Sequence, residues 1–280
     1  MIYGGIEAGG TKWVCAIGTE PGQVAETETF PTTTPHETLE RAAAFFSRNG
    51  KPAGIGIGSF GPIDLRGGRI TTTPKTGWAN TEIVAALRSR LGVPITVDTD
   101  VNAAALAEHR WGAARGLATF SYVTVGTGIG GGGMVEGRLM HGLLHPELGH
   151  MRIPHDRGRD PFDGICPYHG DCFEGLASGE AMAARWGKPA AQLESDDPWR
   201  LEAEYLALGV VNLICALSPE RVILGGGVMK EARLLPLLRV RVRELLGGYG
   251  EVPELVTPAL GDQAGVLGAL ELARLAAGSS

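Results

Sequence analysis

Glycine placement constrains this chain more than any other feature. Of its 280 residues 43 are glycine, and they gather behind short apolar runs instead of scattering through loops. Residues 2–18 read as strand, glycine turn, strand: Ile2–Ile6, then Glu7-Ala8-Gly9-Gly10-Thr11-Lys12, then Trp13–Ile17. Residues 121–137 repeat the plan, with Tyr122–Val125, the turn Gly126-Thr127-Gly128-Ile129-Gly130, and a glycine run into Met134-Val135. One glycine hairpin opening each half points to a duplication in which each half is an α/β domain. Helix-period segments at Pro35–Arg48 and Thr81–Leu91 alternate with apolar runs at Gly54–Gly58 and Val93–Val97. In the second half, Arg200–Leu217 and Ala232–Leu246 read as helices around a strand at Arg221–Leu224. Such alternation implies helices packed on mainly parallel sheet. The expected division is an N-terminal domain over 1–115 and a C-terminal domain over 116–264, with an apolar helix at about 265–280 packing back on the first. No low-complexity linker intervenes, so the boundary reads as a hinge.

Charge and hydropathy remove several function classes. A net charge of −6 gives no electrostatic reason to expect nucleic acid or an anionic membrane as partner. The opening Met1–Gly5 lacks the basic region and apolar run of a secretory signal, and no apolar stretch reaches the roughly 20 residues that span a bilayer. A soluble, cytoplasmic protein is expected. Four cysteines are present. Cys15 and Cys215 sit in apolar stretches and read as small buried hydrophobes.

The glycine turns suit phosphate. A tight turn lets the backbone approach and aim several N–H groups at phosphate oxygens. Gly9, Gly10, Thr11 and Lys12 form one such turn, with the Thr11 hydroxyl as an added donor; Gly126, Thr127 and Gly128 form another. Neither is a Walker loop, and neither is a dinucleotide fingerprint, since a strand follows each turn instead of a helix. The third cluster, Gly225-Gly226-Gly227, follows the strand Arg221–Leu224 and leaves a crevice where a flat ligand can enter. Three clusters placed this way favour a nucleotide over three plain turns.

Phosphoryl transfer asks mainly for positioning and charge neutralisation, plus a base for the acceptor hydroxyl. Asp98 and Asp100, in Asp98-Thr99-Asp100-Val101-Asn102, follow an apolar run and precede a helix-period segment. Either carboxylate suits the base, and either also suits a helix cap. Cys166, His169 and Cys172 put three soft ligands within seven positions, a spacing for tetrahedral zinc closed by His150 or His155 from upstream. A reactive thiol pair is the competing reading.

These motifs resemble a known family. Glu7–Lys12, Gly126–Gly130 and Gly225–Gly227 are similar to the two phosphate motifs and the adenosine motif of the actin-like sugar kinases, and within them of the ROK family. The resemblance runs nearly the whole chain, to Gly261-Asp262-Gln263-Ala264-Gly265. It implies an actin-like ATPase fold, related to ribonuclease H: two related α/β domains with a nucleotide and sugar cleft between them. It implies ATP and Mg²⁺ as cofactors and assigns the catalytic base to Asp100. Glu147 and His150, within Glu147-Leu148-Gly149-His150, resemble the family's sugar-binding motif, as Glu174 resembles its further sugar-binding carboxylate; Gly61, Pro62 and Thr99 complete the expected pocket. Thr99 departs from the usual Asn, and Glu7 from the usual Asp. The resemblance also implies a structural Zn²⁺ on His150, Cys166, His169 and Cys172, with His169 replacing a cysteine of the usual pattern.

Cys166–Gly179 and Thr73–Trp78 look like the zinc-containing bacterial fructokinase branch. ATP-dependent phosphorylation of fructose at its 6-hydroxyl is therefore expected, with glucose or another hexose or N-acetylhexosamine as alternatives. A homodimer is expected on family grounds. A sugar-sensing repressor would carry a helix-turn-helix segment ahead of the first glycine motif, which here begins almost at Met1. A non-catalytic sugar-binding protein would have lost the base or a phosphate loop.

Overall fold

The computed structural model describes residues 1–19 and 22–278. The chain forms two units, Met1–Arg115 with Leu139–His145 and Leu260–Ser280, and Gly116–Arg138 with Pro146–Ala259. The first unit opens with β1 (Tyr3–Ala8), β2 (Lys12–Gly18) and β3 (Glu26–Pro31), then α1 (Pro35–Arg48) and β4 (Ile55–Ser59). Short strands β5 (Ile63–Asp64) and β6 (Arg69–Ile70) precede α2 (Ile83–Leu91), β7 (Ile95–Thr99) and α3 (Asp100–Trp111). Helix α1 starts where Pro35 presets the backbone dihedral and the Thr34 hydroxyl accepts the Glu37 N–H. It buries Leu39, Ala42, Ala43, Phe45 and Phe46, one apolar stripe at helical spacing.

The second unit runs through β8 (Phe120–Val125), β9 (Ile129–Val135) and β10 (Arg138–Leu139), then α4 (Phe173–Ala177), α5 (Gly179–Trp186) and α6 (Asp196–Leu217). It continues with β11 (Arg221–Gly225), α7 (Leu234–Leu246) and β12 (Glu254–Val256). The last helix, α8 (Ala264–Gly278), belongs to the first unit and packs on α3, β1 and β4. Ser279 and Ser280, the end of the helix expected at about 265–280, lie outside the described residues.

The two sheets share one strand order. The first runs β3-β2-β1-β4-β7 and the second β10-β9-β8-β11-β12. In each, a glycine hairpin supplies the central antiparallel pair, β1 with β2 and β8 with β9, and two parallel strands follow. Each unit buries its own core: Ile6, Trp13, Phe30, Phe46, Ile57 and Trp78 in the first, Val123, Phe173, Trp199, Leu206, Leu224 and Leu234 in the second. The alanine run Ala103–Ala105 is buried, and its small side chains let α3 approach α8 closely at Gly268. No helix among the described residues is long and apolar enough to cross a membrane.

Two cysteines separate here. Cys15 is buried on β2, and burial pushes its thiol well above the usual range. Cys215 is exposed near the end of α6, contrary to the expectation from its apolar neighbours. Those neighbours divide between faces of the helix, with Leu213 inward and Cys215 and Ala216 outward.

One core residue of α6 is charged in kind. Glu202 is 1% exposed and neither carboxyl oxygen has a hydrogen-bond partner. Burial pushes its carboxyl well above 4.5, opposed by the Arg185 guanidinium. A carboxyl raised on folding holds its proton more tightly in the folded chain. Its contribution is full below pH 4.5 and is lost as pH rises toward the raised value. Glu202→Gln, which cannot ionise, should therefore flatten the fall of the thermal midpoint as pH rises above about 4.5. Calorimetry across that range checks it; parallel curves for the two proteins would rule the account out.

Candidate active site and metal centre

The candidate residues divide between the units. In the first, the β1–β2 turn is closed by the Gly9 N–H donating to the Lys12 carbonyl at 3.0 Å. The entry to α1 pins it from outside: the Thr32 hydroxyl donates to the Gly9 carbonyl at 2.7 Å and the Thr32 N–H to the Thr11 carbonyl at 2.9 Å. Gly10 has open space where a side chain would stand, and Thr11 and Lys12 are exposed. A turn held from behind and open in front suits an anion.

Glu7 lies just before this turn. Burial pushes its carboxyl above the usual range; Lys12 pulls it down and Asp262 pushes it up again. A Cβ on Gly265 would stand 2.6 Å from the Glu7 carboxyl carbon. Gly265 therefore makes room for a carboxylate one methylene longer than Asp.

At the end of β7 the two aspartates have different surroundings. Asp98 is 4% exposed. One of its oxygens accepts the Thr99 N–H at 2.7 Å and the Asn102 amide at 2.9 Å; the other pairs with His141 Nε2 at 2.8 Å. Thr99 is the N-cap of α3, its hydroxyl accepting the Asn102 N–H at 3.1 Å. Asp100 is the first residue of α3 and half-buried, with an oxygen accepting the Val101 N–H at 2.8 Å. Neither aspartate caps the helix, because Thr99 does.

The segment Leu139–His145 joins this group although the chain on either side of it, Gly116–Arg138 and Pro146–Ala259, belongs to the other unit. His145 is buried, and its Nε2 accepts the Ile63 N–H at 3.1 Å, next to Gly61 and Pro62. The Asn102 amide donates to the Met140 carbonyl at 3.3 Å. Sequence reasoning missed His141 and His145; their spacing of four just ahead of Glu147 was the available signal.

In the second unit, three glycine-bearing segments converge on the carboxyl ends of the parallel neighbours β8 and β11, where α/β sheets bind ligands. Within the β8–β9 turn the Gly126 N–H donates to the Gly128 carbonyl at 2.9 Å. The start of α5 is tied to the same turn, the Gly179 N–H donating to the Gly126 carbonyl at 2.7 Å. After β11, Gly226 has φ +93°, and a side chain there would meet the Val125 backbone at 2.3 Å. Gly227 opens on free space.

Glu174, on α4, is drawn into this loop: its carboxylate accepts the Ile129 N–H at 2.9 Å. Glu147 is exposed and precedes a single 3-10 turn, Leu148–His150. That turn lies against β9 so closely that a Cβ on Gly149 would stand 2.0 Å from the Ile129 carbonyl oxygen.

His150, Cys166, His169 and Cys172 come together with one ligand atom each, all within 4.8 Å of one another. Cys166 Sγ lies 3.6 Å from His150 Nδ1 and 3.6 Å from His169 Nδ1, and Cys172 Sγ 3.7 Å from His150 Nδ1. A tetrahedral zinc with ordinary bond lengths has an S···N edge of about 3.6 Å, so donor set and spacing fit that ion. Burial pushes the Cys172 thiol up to about 11, a Gly175 N–H opposing and Cys166 adding to the rise; a divalent cation reverses that cost.

His155 is occupied elsewhere. Its Nδ1 pairs with Asp171 at 3.2 Å and its Nε2 with the Asp160 carbonyl at 3.0 Å. Arg152 braces the metal loop from outside, donating to the His169 carbonyl at 2.6 Å and to Asp171 at 2.8 Å.

A model of the ROK family matches residues 3–276. A fructokinase from Zymomonas mobilis is 45% identical over 290 residues, spanning 97% of this chain and 96% of that protein. A fructokinase from Pediococcus pentosaceus is 44% identical over 286 residues, spanning 99% of each. Among solved structures, a ROK hexokinase from Thermus thermophilus matches with a TM-score of 0.84 at 30% identity, covering 100% of both chains.

Proposed function

The chain belongs to the ROK family and has the actin-like ATPase fold of its sugar kinases, and from that premise we propose that it is a fructokinase. It is an ATP-dependent hexose kinase, and its reaction in this reading moves the γ-phosphoryl group to the 6-hydroxyl of fructose. The observation that carries the choice of sugar is the full-length similarity to two fructokinases.

Asp100 takes the hydroxyl proton in this reading, supported by its place at the first position of α3, half-exposed, while Asp98 is enclosed. The turns at Gly9–Lys12 and Gly126–Gly128 hold phosphate oxygens through backbone N–H groups. Gly225, Gly226 and Gly227 admit the adenosine. This reading assigns sugar contact to Gly61, Pro62, Thr99, Glu147, His150 and Glu174; the Thr99 hydroxyl accepts the Asn102 N–H and keeps its own O–H to donate. Carboxylates suit a polyol because each oxygen accepts from hydroxyls.

Mg²⁺ would neutralise phosphate charge, and Glu7 and Asp262, whose like charges already oppose each other, would orient it. Zn²⁺ on His150, Cys166, His169 and Cys172 would supply a rigid cross-link, because four protein ligands leave no open position. The reading places the enzyme in the cytoplasm, where ATP is supplied and thiols stay reduced. It takes the protein as a homodimer, which light scattering checks.

The test is ADP release with MgATP against fructose, glucose, mannose and N-acetylmannosamine. Fructose should give the highest kcat/KM by about 10-fold or more, the discrimination a hydrogen-bonding site can reach. A different best sugar overturns the substrate assignment alone. A broad hexose kinase is the second reading, favoured by the whole-chain match to the Thermus hexokinase.

A further inference from the structure

His141 stands out as a histidine placed with care that the expected chemistry does not use. Its Nε2 is bound to a buried carboxylate, Asp98, at 2.8 Å. That carboxylate is held from its other oxygen by the Thr99 N–H and the Asn102 amide, and Asn102 also fixes the neighbouring Met140 carbonyl. The imidazole is thus set by three elements at once: β7, α3 and the segment Leu139–His145. Its side chain is nevertheless 44% exposed, and Nδ1 has no partner among the described residues.

A purely structural clamp has no need of an exposed ring. Asp98 is two residues from Asp100, and four residues beyond His141 the same segment touches Ile63 through His145, beside Gly61 and Pro62. The segment therefore bridges the two parts of the first unit to which the sugar pocket was assigned. A carboxylate-backed imidazole with one open nitrogen is a strong and oriented hydrogen-bonding group. The Asp98 bond raises the His141 pKa above its ordinary value against the effect of partial burial. Sugar hydroxyls accept and donate, and pair with the ring in either state.

We propose that His141 is a specificity-determining residue, its Nδ1 forming a hydrogen bond with a hydroxyl of the sugar while Nε2 stays on Asp98. The proposal rests on the hexose kinase reading above.

Two substitutions separate this role from a clamp. A Gln amide reaches the position of Nε2 and keeps the Asp98 contact, but offers nothing at Nδ1. H141Q is therefore expected to unfold at the wild-type temperature, with an unchanged KM for MgATP. Its KM for the hexose that the wild type uses best should rise about 10-fold or more, the loss of one charge-assisted hydrogen bond. H141A should show that rise together with a lower thermal midpoint. H141Q with wild-type kinetics overturns the proposal and leaves His141 as a clamp.

A measurement on the wild type covers the case of a variant that does not fold. Carbethoxylation of His141 by diethylpyrocarbonate, mapped by mass spectrometry, should slow with a saturating concentration of the hexose the wild type uses best and not with ATP. An equal rate with and without the sugar overturns the proposal. Failure of the parent reading looks different, since the wild type then phosphorylates no hexose at all.

Discussion

Asp100→Asn is expected to lower kcat for the preferred hexose by about 10²–10⁴-fold while leaving the thermal midpoint within about 2 °C of wild type. An amide keeps the shape of the side chain and can still accept the Val101 N–H, so the entry to α3 survives. It cannot take the proton of an attacking hydroxyl. Asp98→Asn is the control that makes the result informative. Asp98 accepts from three donors in a buried site, and an amide would turn an N–H toward one of them. Hydrogen bonds to a buried charge are worth about 1.5–3 kcal/mol each, so a drop of about 5–10 °C is expected there. Two aspartates two residues apart should thus separate into one that sets rate and one that sets stability. If Asp98→Asn abolishes turnover at unchanged stability and Asp100→Asn does not, the base has been assigned to the wrong carboxylate.

Loss of the metal should be the other large effect. Purified protein is expected to hold one zinc per chain by elemental analysis. Cys172→Ser, or prolonged chelation, should lower the thermal midpoint on the order of 10 °C, from a loss of several kcal/mol. Activity should fall with it, and the route is visible. Helix α4 begins at Phe173, directly after Cys172, and its Glu174 holds the β8–β9 turn through Ile129. On the other side of the ligand set, His150 closes the 3-10 turn whose Gly149 lies on Ile129. A slack metal loop therefore loosens a phosphate turn and two expected sugar contacts together. His169→Cys should retain the zinc, since thiolate and imidazole are both good ligands. Wild-type protein that, stripped of its zinc, still melts and turns over as before would end this account.

The elements were legible where one local rule dominates. The glycine hairpins, the Pro35–Arg48 helix and the strand at Arg221 follow from periodicity and turn chemistry within a few residues of each other. The four soft ligands were legible for the same reason, three of them lying within seven positions. What the sequence hid is pairing at long range. His141 meets Asp98 across 43 positions and His145 meets Ile63 across 82; no local pattern encodes either. Thr99 shows a different limit: the sequence did not reveal that its hydroxyl also caps α3 by accepting the Asn102 N–H. Cys215 was misread because an apolar window says nothing about which face of a helix a residue takes.

The return of α8 to the first unit has a consequence for how the protein is made. A ribosome delivers the chain from N- to C-terminus, and the first unit is built from segments that lie before and after those of the second. Val266 and Leu270, which cover Ala16, belong to α8. Strands β1 and β2 therefore wait, partly uncovered, until α8 has been synthesised. The second unit ends at Ala259 and has its whole sequence in hand sooner. The unit that begins before the other thus finishes after it, and a chain that stopped short of α8 would strand it with an open apolar face for chaperones and proteases to find.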